Sequence, residues 1–463
     1  MPEVDLVRDV VVLGGGSGGY ATALRASQLG LTVALVEADR VGGTCLHRGC
    51  VPTKAMLHSG EVADAVRHAA SVGVLAQLDG VDLPAVTAYR DGVVGRLHRG
   101  LTGLLRSRAV DVVAGHGRVA EVTSSAVVVE VDGRRITGRH LVLATGSRPR
   151  WPSWVRPGPR VIDSDGALAL TAVPARLAVI GGGVIGVEMA SLWRSLGAEV
   201  LLVEAADRLV PAEEPTVSAA LAKALRVRGI TVVTGGVVGG VTESADDVVV
   251  EVGGEAHTVD VVIVAVGREP VSDGLGLEDA GVRTERGYVE VDERLLTSVP
   301  RVWAVGDLVA GYALAHRAFG HGIAVAERIA GTDPVAVPEH HLPRVTYSDP
   351  EIASVGLTTA AAQELHGAEN VTTATYPLGG NARSQILGTT GFVHLVRLVD
   401  GPVLGVHAIG SRMGEQIGEA QLLVGWEAHP EDVVGLIHAH PTQNEALGEA
   451  ALALAGKPLH AHS

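Results

Sequence analysis

The stretch Val10-Val11-Val12-Leu13-Gly14-Gly15-Gly16-Ser17-Gly18-Gly19, four apolar residues breaking into a run of glycines, decides how this chain folds. A helical pattern continues to about Gly30, and a second apolar run from Thr32 to Val36 ends at Glu37. Strand, Gly-rich turn, helix, strand and an acid about 20 residues on form the context that gives GxGxxG its meaning as a dinucleotide-binding fingerprint. Gly14 permits the tight turn, Gly16 lets backbone approach a pyrophosphate, and Gly19 lets helix and strand pack closely. The first helical turn offers N–H groups and a positive dipole end to phosphates, and Glu37 is placed to accept hydrogen bonds from a ribose. Among 60 glycines, chance matches to GxGxxG are expected. The flanking strands and the placed acid therefore carry the assignment.

Working outward, the pattern recurs. Ala178 to Ile180 is apolar, Gly181-Gly182-Gly183-Val184-Ile185-Gly186 follows, a helical pattern runs to Gly197, and Val200 to Val203 ends at Glu204. Gly181 lies 167 positions after Gly14, and Glu204 lies 167 after Glu37. Two such units predict two dinucleotides, with Gly181, Gly183, Gly186 and Glu204 in the second site. An acid rather than an arginine at Glu204 favours a free 2′-hydroxyl, hence NAD(H) over NADP(H). The Pro-rich segment Gly146 to Pro152, the break at Gly267-Arg268-Glu269-Pro270, and Asp333 to Pro343 divide the chain. Domains are expected at 1–150, 151–270, 271–340 and 341–463. The last alternates strand-like runs (Gly391 to Leu398, Val403 to Ile409) with helical ones (Gly414 to Trp426, Glu445 to Ala455). The expected fold class is α/β, two Rossmann-like dinucleotide-binding domains followed by a C-terminal α+β domain.

Composition sets the outer bounds. Of 463 residues, 47% are hydrophobic and 19% charged, enough apolar material for a large core and too much for a disordered chain. A formal charge of −15 without a Lys/Arg-rich stretch makes nucleic acid and anionic membranes unexpected partners. No apolar run approaches the ~18–20 residues of a membrane helix. The start, Met1-Pro2-Glu3-Val4-Asp5-Leu6, shows neither a signal peptide nor an Arg-rich transit pattern, so a cytoplasmic location is expected.

The chemistry points to Cys45 and Cys50, the only cysteines, in Gly42-Gly43-Thr44-Cys45-Leu46-His47-Arg48-Gly49-Cys50-Val51-Pro52-Thr53-Lys54. Their spacing is wider than CxxC yet short enough for a disulfide. A helical pattern begins near Cys50, where the dipole and Lys54 would stabilise a thiolate. A buried structural pair is the bland reading, and two cysteines fall short of the ligands a zinc site needs, so no metal is expected. Near the C-terminus, His440 stands five residues before Glu445 in His438-Ala439-His440-Pro441-Thr442-Gln443-Asn444-Glu445, spacing suited to an acid–base pair. With 19 histidines in the chain, a surface or capping role is the rival reading for any one of them.

These residues resemble the flavin-dependent pyridine nucleotide–disulfide oxidoreductases, and within that family its dihydrolipoamide dehydrogenase branch. GGTCLHRGCVPTK is close to the family's redox-active disulfide signature. Ala144-Thr145-Gly146 looks like the turn closing the flavin domain, and Gly267-Arg268-Glu269-Pro270 like the end of the NAD domain. Val305-Gly306-Asp307 with Leu314-Ala315-His316 looks like the second flavin segment, and Tyr347 to Gly356 resembles the opening of the dimerisation domain. The resemblance implies FAD and NAD as cofactors. It assigns Gly14, Gly16, Gly19, Glu37, Gly43, Thr44, Lys54, Gly117, Thr145, Gly146, Asp307 and Ala315 around the flavin. Glu188, Gly267 and Arg268 join the nicotinamide-side residues, and Lys54 is expected to pair with Glu188.

The implied reaction is oxidation of protein-bound dihydrolipoamide by NAD+ through a Cys45–Cys50 disulfide and FAD. His440, supported by Glu445, acts as base from the other subunit of a homodimer. The implied partner is the lipoyl domain of an acyltransferase or a glycine cleavage lipoyl carrier. No cysteine follows Cys50, which separates the chain from mercuric reductases, and Glu204 separates it from the NADPH-using reductases. Departures from the family pattern fall at Val271, at Gly320-His321-Gly322, which lacks the usual acid, and at Gln443-Asn444. A flavin NAD(P)H:quinone reductase or diaphorase, another disulfide reductase, and a non-enzymatic scaffold are the competing readings.

Overall fold

Val10–Leu13 is at most 3% exposed at every side chain, as a parallel strand covered on both faces requires. In the computed structural model, which describes residues 6–460, this run ends the strand Leu6–Leu13. The first five residues, read above for a leader, lie outside the described part. The chain divides into two units: residues 1–56, 84–150 and 268–337, and residues 57–83, 151–267 and 338–463.

In the first unit, parallel strands run in the order Asp111–Ala114, Val33–Glu37, Leu6–Leu13 and Arg134–Leu143. The end of the last pairs in parallel with Val302–Ala304, and its beginning pairs with the hairpin Gly117–Val122 and Val127–Val131. Alternate residues feed two cores, as strand geometry dictates. Val11, Leu13, Val36 and Leu143 point to one, and Val10, Val12, Leu35 and Val142 to the other. The helices Ser17–Gln28 and Ala315–Ile329 meet at backbone distance. A Cβ at Gly322 would lie 2.4 Å from the Gly18 carbonyl oxygen, so Gly322 is fixed by helix packing.

The second unit repeats the theme. Five parallel strands run in the order Ile230–Thr234, Glu199–Glu204, Arg176–Ile180, Val261–Val264 and Val161–Ile162. The antiparallel meander Val238–Glu243, Val248–Val252, Glu255–Val259 shares a core with this sheet through Ala178, Val203 and Val250. The C-terminal stretch forms a five-stranded antiparallel sheet, ordered Arg344–Thr346, Glu351–Gly356, Val403–Gly410, Phe392–Leu398, Val371–Pro377. Helices Ile417–Gly425 and Glu445–Leu454 cover it. The helix expected from Gly414 opens as a 3₁₀ turn, Met413–Glu415, and becomes α-helical at Ile417.

Residues 57–83 group with the second unit, which boundaries at 150, 270 and 340 do not capture. The helix Cys50–His68 begins in one unit and ends in the other. Its Asp64 carboxylate accepts hydrogen bonds from Ser195 and Arg228, both at 2.6 Å, and from Arg67 at 2.6 Å. Burial works to raise the Asp64 pKa, but these donors outweigh it and hold the carboxyl below its ordinary range. Among the described residues, no helix is long and apolar enough to cross a membrane.

Candidate active site

The two Gly-rich turns are copies down to individual hydrogen bonds. The Gly15 N–H donates to Glu37 Oε2 at 2.6 Å and the Asp39 N–H to its Oε1 at 2.8 Å. In the second unit Gly182 and Ala206 donate to the two oxygens of Glu204 at 2.5 and 2.7 Å. Each carboxylate is thus fixed at the tip of its strand with lone pairs left over for ribose hydroxyls.

The glycines separate into two kinds. Gly14 and Gly181 hold φ of +105° and +110°, and a Cβ at either Gly19 or Gly186 would sit 1.8 Å from a carbonyl oxygen. The fold itself demands these four. Gly16 and Gly183 are different: φ of −71° and −73° suits any residue. An added Cβ would meet nothing nearer than 3.9 Å at Gly16 and nothing within 4 Å at Gly183. Neither helix start carries a side-chain cap. Open space beside uncapped N–H groups is what a pyrophosphate needs, so both turns fit a dinucleotide. Gly43, at φ +57°, touches Gly16: its Cβ would lie 2.6 Å from Gly16 Cα. Gly117 has a packing reason instead, since a Cβ there would lie 2.5 Å from Leu13.

The remaining flavin-side residues cluster around Asp307, in the turn Gly306–Leu308. Ser147 donates to Asp307 Oδ2 at 2.6 Å, and Arg268 donates through Nε to Ser147 Oγ at 2.7 Å. The carboxylate is pinned through Oδ2, which leaves Oδ1 for a diol. Sequence reading missed Ser147, whose only signal is its place after Thr145-Gly146. Thr145 Oγ1 donates to the Val271 carbonyl at 2.6 Å, and the Val271 N–H donates to the Gly146 carbonyl at 2.9 Å. The departure at Val271 is therefore harmless to this clamp, which uses only the backbone of Val271. Ala315 opens the uncapped helix Ala315–Ile329. Gly267 holds φ +111° at the edge of its unit.

His321, in the stretch read as lacking the family's usual acid, is half-buried and accepts the Gly306 N–H at 3.4 Å. Burial first, then Arg317 and Arg328, lower its pKa to about 4, so it is neutral at pH 7. Between about pH 6.5 and 4 the unfolded chain binds a proton here that the folded chain does not. Stability from this group is complete above the unfolded pKa and falls as pH drops through that window, by on the order of 3 kcal/mol. His321→Gln should flatten the dependence of the urea midpoint on pH between 7 and 4. An unchanged slope would assign it to other groups.

Cys45 and Cys50 are thiols in the structure, not a disulfide. Cys50 is the first residue of the helix Cys50–His68 and is exposed, as the helical pattern foretold. Cys45 and Thr44 lie in the short helix Gly43–His47. The Cys45 thiol hydrogen-bonds to Cys50, and this contact, then burial, then the Cys50 charge, push its pKa up. Ser17 and Lys54 pull the other way. Tyr20, missed by the sequence reading, lies within electrostatic reach of both sulfurs: burial, then Cys45 and Cys50, push its phenol to about 12. Lys54 lies in the first unit and Glu188 in the second. Glu188 is buried and accepts the Tyr347 N–H at 3.0 Å.

His440 and Glu445 form the expected pair, Nδ1 to Oε1 at 2.8 Å. Burial works to raise the Glu445 pKa, but the Thr442 N–H at 2.7 Å and the His440 ring outweigh it and keep the carboxyl below its ordinary value. The His440 side chain is 70% exposed. With Nδ1 engaged, Nε2 is the nitrogen left to exchange a proton with a substrate. Among the described residues, no cluster of three or more His, Cys, Asp or Glu is placed to hold a metal.

Residues 8–322 match the family described as pyridine nucleotide-disulphide oxidoreductase, and residues 342–451 match its dimerisation domain. The chain is 38% identical over 460 residues to a dihydrolipoyl dehydrogenase of Bacillus subtilis (strain 168), covering 98% of this chain and 97% of that one. It is 39% identical over 464 residues to a dihydrolipoyl dehydrogenase of Thermus scotoductus, covering 98% of each. Among solved structures, LpdA from Mycobacterium tuberculosis superposes with a TM-score of 0.90 at 25% identity, over 97% of this chain and 99% of that one. The HOCl-induced flavoprotein disulfide reductase RclA from Escherichia coli superposes with a TM-score of 0.85 at 25% identity, over 96% and 99%.

Proposed function

The chain belongs to the pyridine nucleotide-disulphide oxidoreductase family, flavoprotein enzymes using FAD and NAD(H), and from that premise we propose that it oxidises protein-bound dihydrolipoamide with NAD+. Its dimerisation domain supports a homodimer. The partner is a lipoyl domain of a 2-oxoacid dehydrogenase complex or a glycine cleavage lipoyl carrier, and the setting is the cytoplasm. The observation that carries the reading is the Cys45 thiol bonded to Cys50 at the start of a helix, beside the first dinucleotide turn.

In this account His440 of the partner subunit removes a proton from a substrate thiol at Nε2, because the thiolate is the attacking species. Glu445 stabilises the imidazolium that results. The substrate thiolate attacks Cys45 of the Cys45–Cys50 disulfide, a mixed disulfide forms, and Cys50 leaves as a thiolate at its helix N-terminus. The second substrate thiolate attacks the substrate sulfur of the mixed disulfide, releasing cyclic oxidised lipoamide and the Cys45 sulfur. When bound, FAD supplies a two-electron path between the reduced thiol pair and the nicotinamide. Gly14, Gly16, Gly19, Glu37, Thr145, Gly146 and Asp307 would hold it, and Gly181, Gly183, Gly186 and Glu204 would hold NAD+. The fixed Glu204 carboxylate would repel a 2′-phosphate.

Parallel steady-state assays test this. We expect turnover of dihydrolipoamide with NAD+ to exceed that with NADP+ by at least about tenfold, as one misplaced charge costs on the order of 1–2 kcal/mol or more. Glutathione disulfide with NADPH should give little. The reverse ranking would make the chain a different disulfide reductase, the class named for its Escherichia coli structural neighbour.

A further inference from the structure

One carboxylate outside the assigned site holds both ends of the segment that carries His440. Glu419 lies in the first turn of the helix Ile417–Gly425, where the dipole favours an anion. Its Oε1 accepts from His438 Nε2 at 2.9 Å, two residues before His440. Its Oε2 accepts from the Asn444 side-chain amide in a very close contact, one residue before Glu445. Asn444 occupies the N-cap position of Glu445–Leu454 without capping it. An asparagine there ordinarily turns its oxygen to its own helix, and here the amide is committed to Glu419 instead. The His438 ring rests over that same helix: a Cβ at Gly448 would come within 2.7 Å of it. Between the two anchors, Thr442 donates to the Ala439 carbonyl at 2.7 Å, and Asn381 donates to the Thr442 carbonyl at 2.9 Å.

We infer that Glu419 is a positioning residue for the His440–Glu445 pair, acting through His438 and Asn444. The inference rests on the reading of His440 as the thiol base. Each Glu419 oxygen takes one of the two contacts; an alanine offers neither, whereas a glutamine could keep both by turning its amide toward the other His438 tautomer. Glu419→Ala therefore releases both ends of the segment, and Asn444→Ala releases the C-terminal end alone. A base displaced by about 1 Å loses much of its rate.

The test measures three quantities on flavin-loaded enzyme. They are dihydrolipoamide turnover with NAD+, its pH profile, and NADH oxidation by ferricyanide, a reaction with no thiol to deprotonate. Both variants should lose roughly 10- to 100-fold in dihydrolipoamide kcat and show a displaced acid limb, with ferricyanide reduction retained. His440→Ala, assayed alongside, separates the two ideas. Intact dihydrolipoamide turnover in His440→Ala would remove the base itself. Collapse in His440→Ala with normal kcat in the other variants would overturn the role of Glu419. Equal loss of both activities would also overturn it, because that marks general structural damage. Should Glu419→Ala fail to fold, Asn444→Ala decides by the same criteria.

Discussion

Cys45→Ser is expected to reduce dihydrolipoamide turnover to background while the protein stays yellow and still passes electrons from NADH to ferricyanide. The physical reason lies in the leaving and attacking groups. A sulfur at position 45 can form a disulfide, accept a thiolate and depart again, whereas a serine hydroxyl at neutral pH can do none of these. Serine is nearly isosteric and can keep a hydrogen bond toward Cys50 and Ser17, the two groups that touch the Cys45 thiol. The change therefore removes chemistry and spares packing. The measurement pairs the two assays with an absorbance scan for bound flavin. Loss of flavin together with activity would show that the pair supports the fold, and retained dihydrolipoamide turnover would remove the disulfide from the reaction.

Local periodicity made the dinucleotide folds legible. Residues 167 positions apart occupy matching strands and turns, and even the backbone donors to Glu37 and Glu204 correspond. This works because every contact in a strand–turn–helix–strand unit is short in sequence. The His440–Glu445 pair was legible for the same reason, five residues apart on one segment. What escaped is long-range. Ser147 reaches Asp307 across 160 positions, and Glu419 reaches His438 across 19 and Asn444 across 25. Residues 57–83 join the second unit through Asp64, whose partners Ser195 and Arg228 are more than a hundred positions away. No pattern along the chain signals such contacts. The departures also become intelligible only in three dimensions. Val271 contributes backbone alone, His321 is a neutral imidazole held against Gly306, and Asn444 gains a partner in Glu419.

His440→Ala is expected to lower dihydrolipoamide turnover by the ~10²–10⁴-fold that general acid–base catalysis contributes. The substrate thiol must lose its proton before it attacks, and at neutral pH an unassisted thiol is mostly protonated. Nε2 of His440 is the nitrogen available to take that proton, because Nδ1 is committed to Glu445 at 2.8 Å. Glu445 is itself committed, with Oε2 receiving the Thr442 N–H at 2.7 Å, so the ring cannot swing without breaking a charge-assisted contact. The Glu445 carboxyl sits below its ordinary value, so it is ionised throughout the working range and loses its charge only as pH falls through that lowered value. The stability this carboxylate contributes is therefore complete above its ordinary pKa and is lost as pH falls from there through the lowered value. Glu445→Gln should lower turnover by less than His440→Ala, because the base remains and only the charge that stabilises its imidazolium form is lost. A stopped-flow measurement of thiol oxidation reads both effects. An alanine variant that kept the wild-type rate would place the proton acceptor elsewhere, and a glutamine variant with the full wild-type rate would remove the carboxylate from the step.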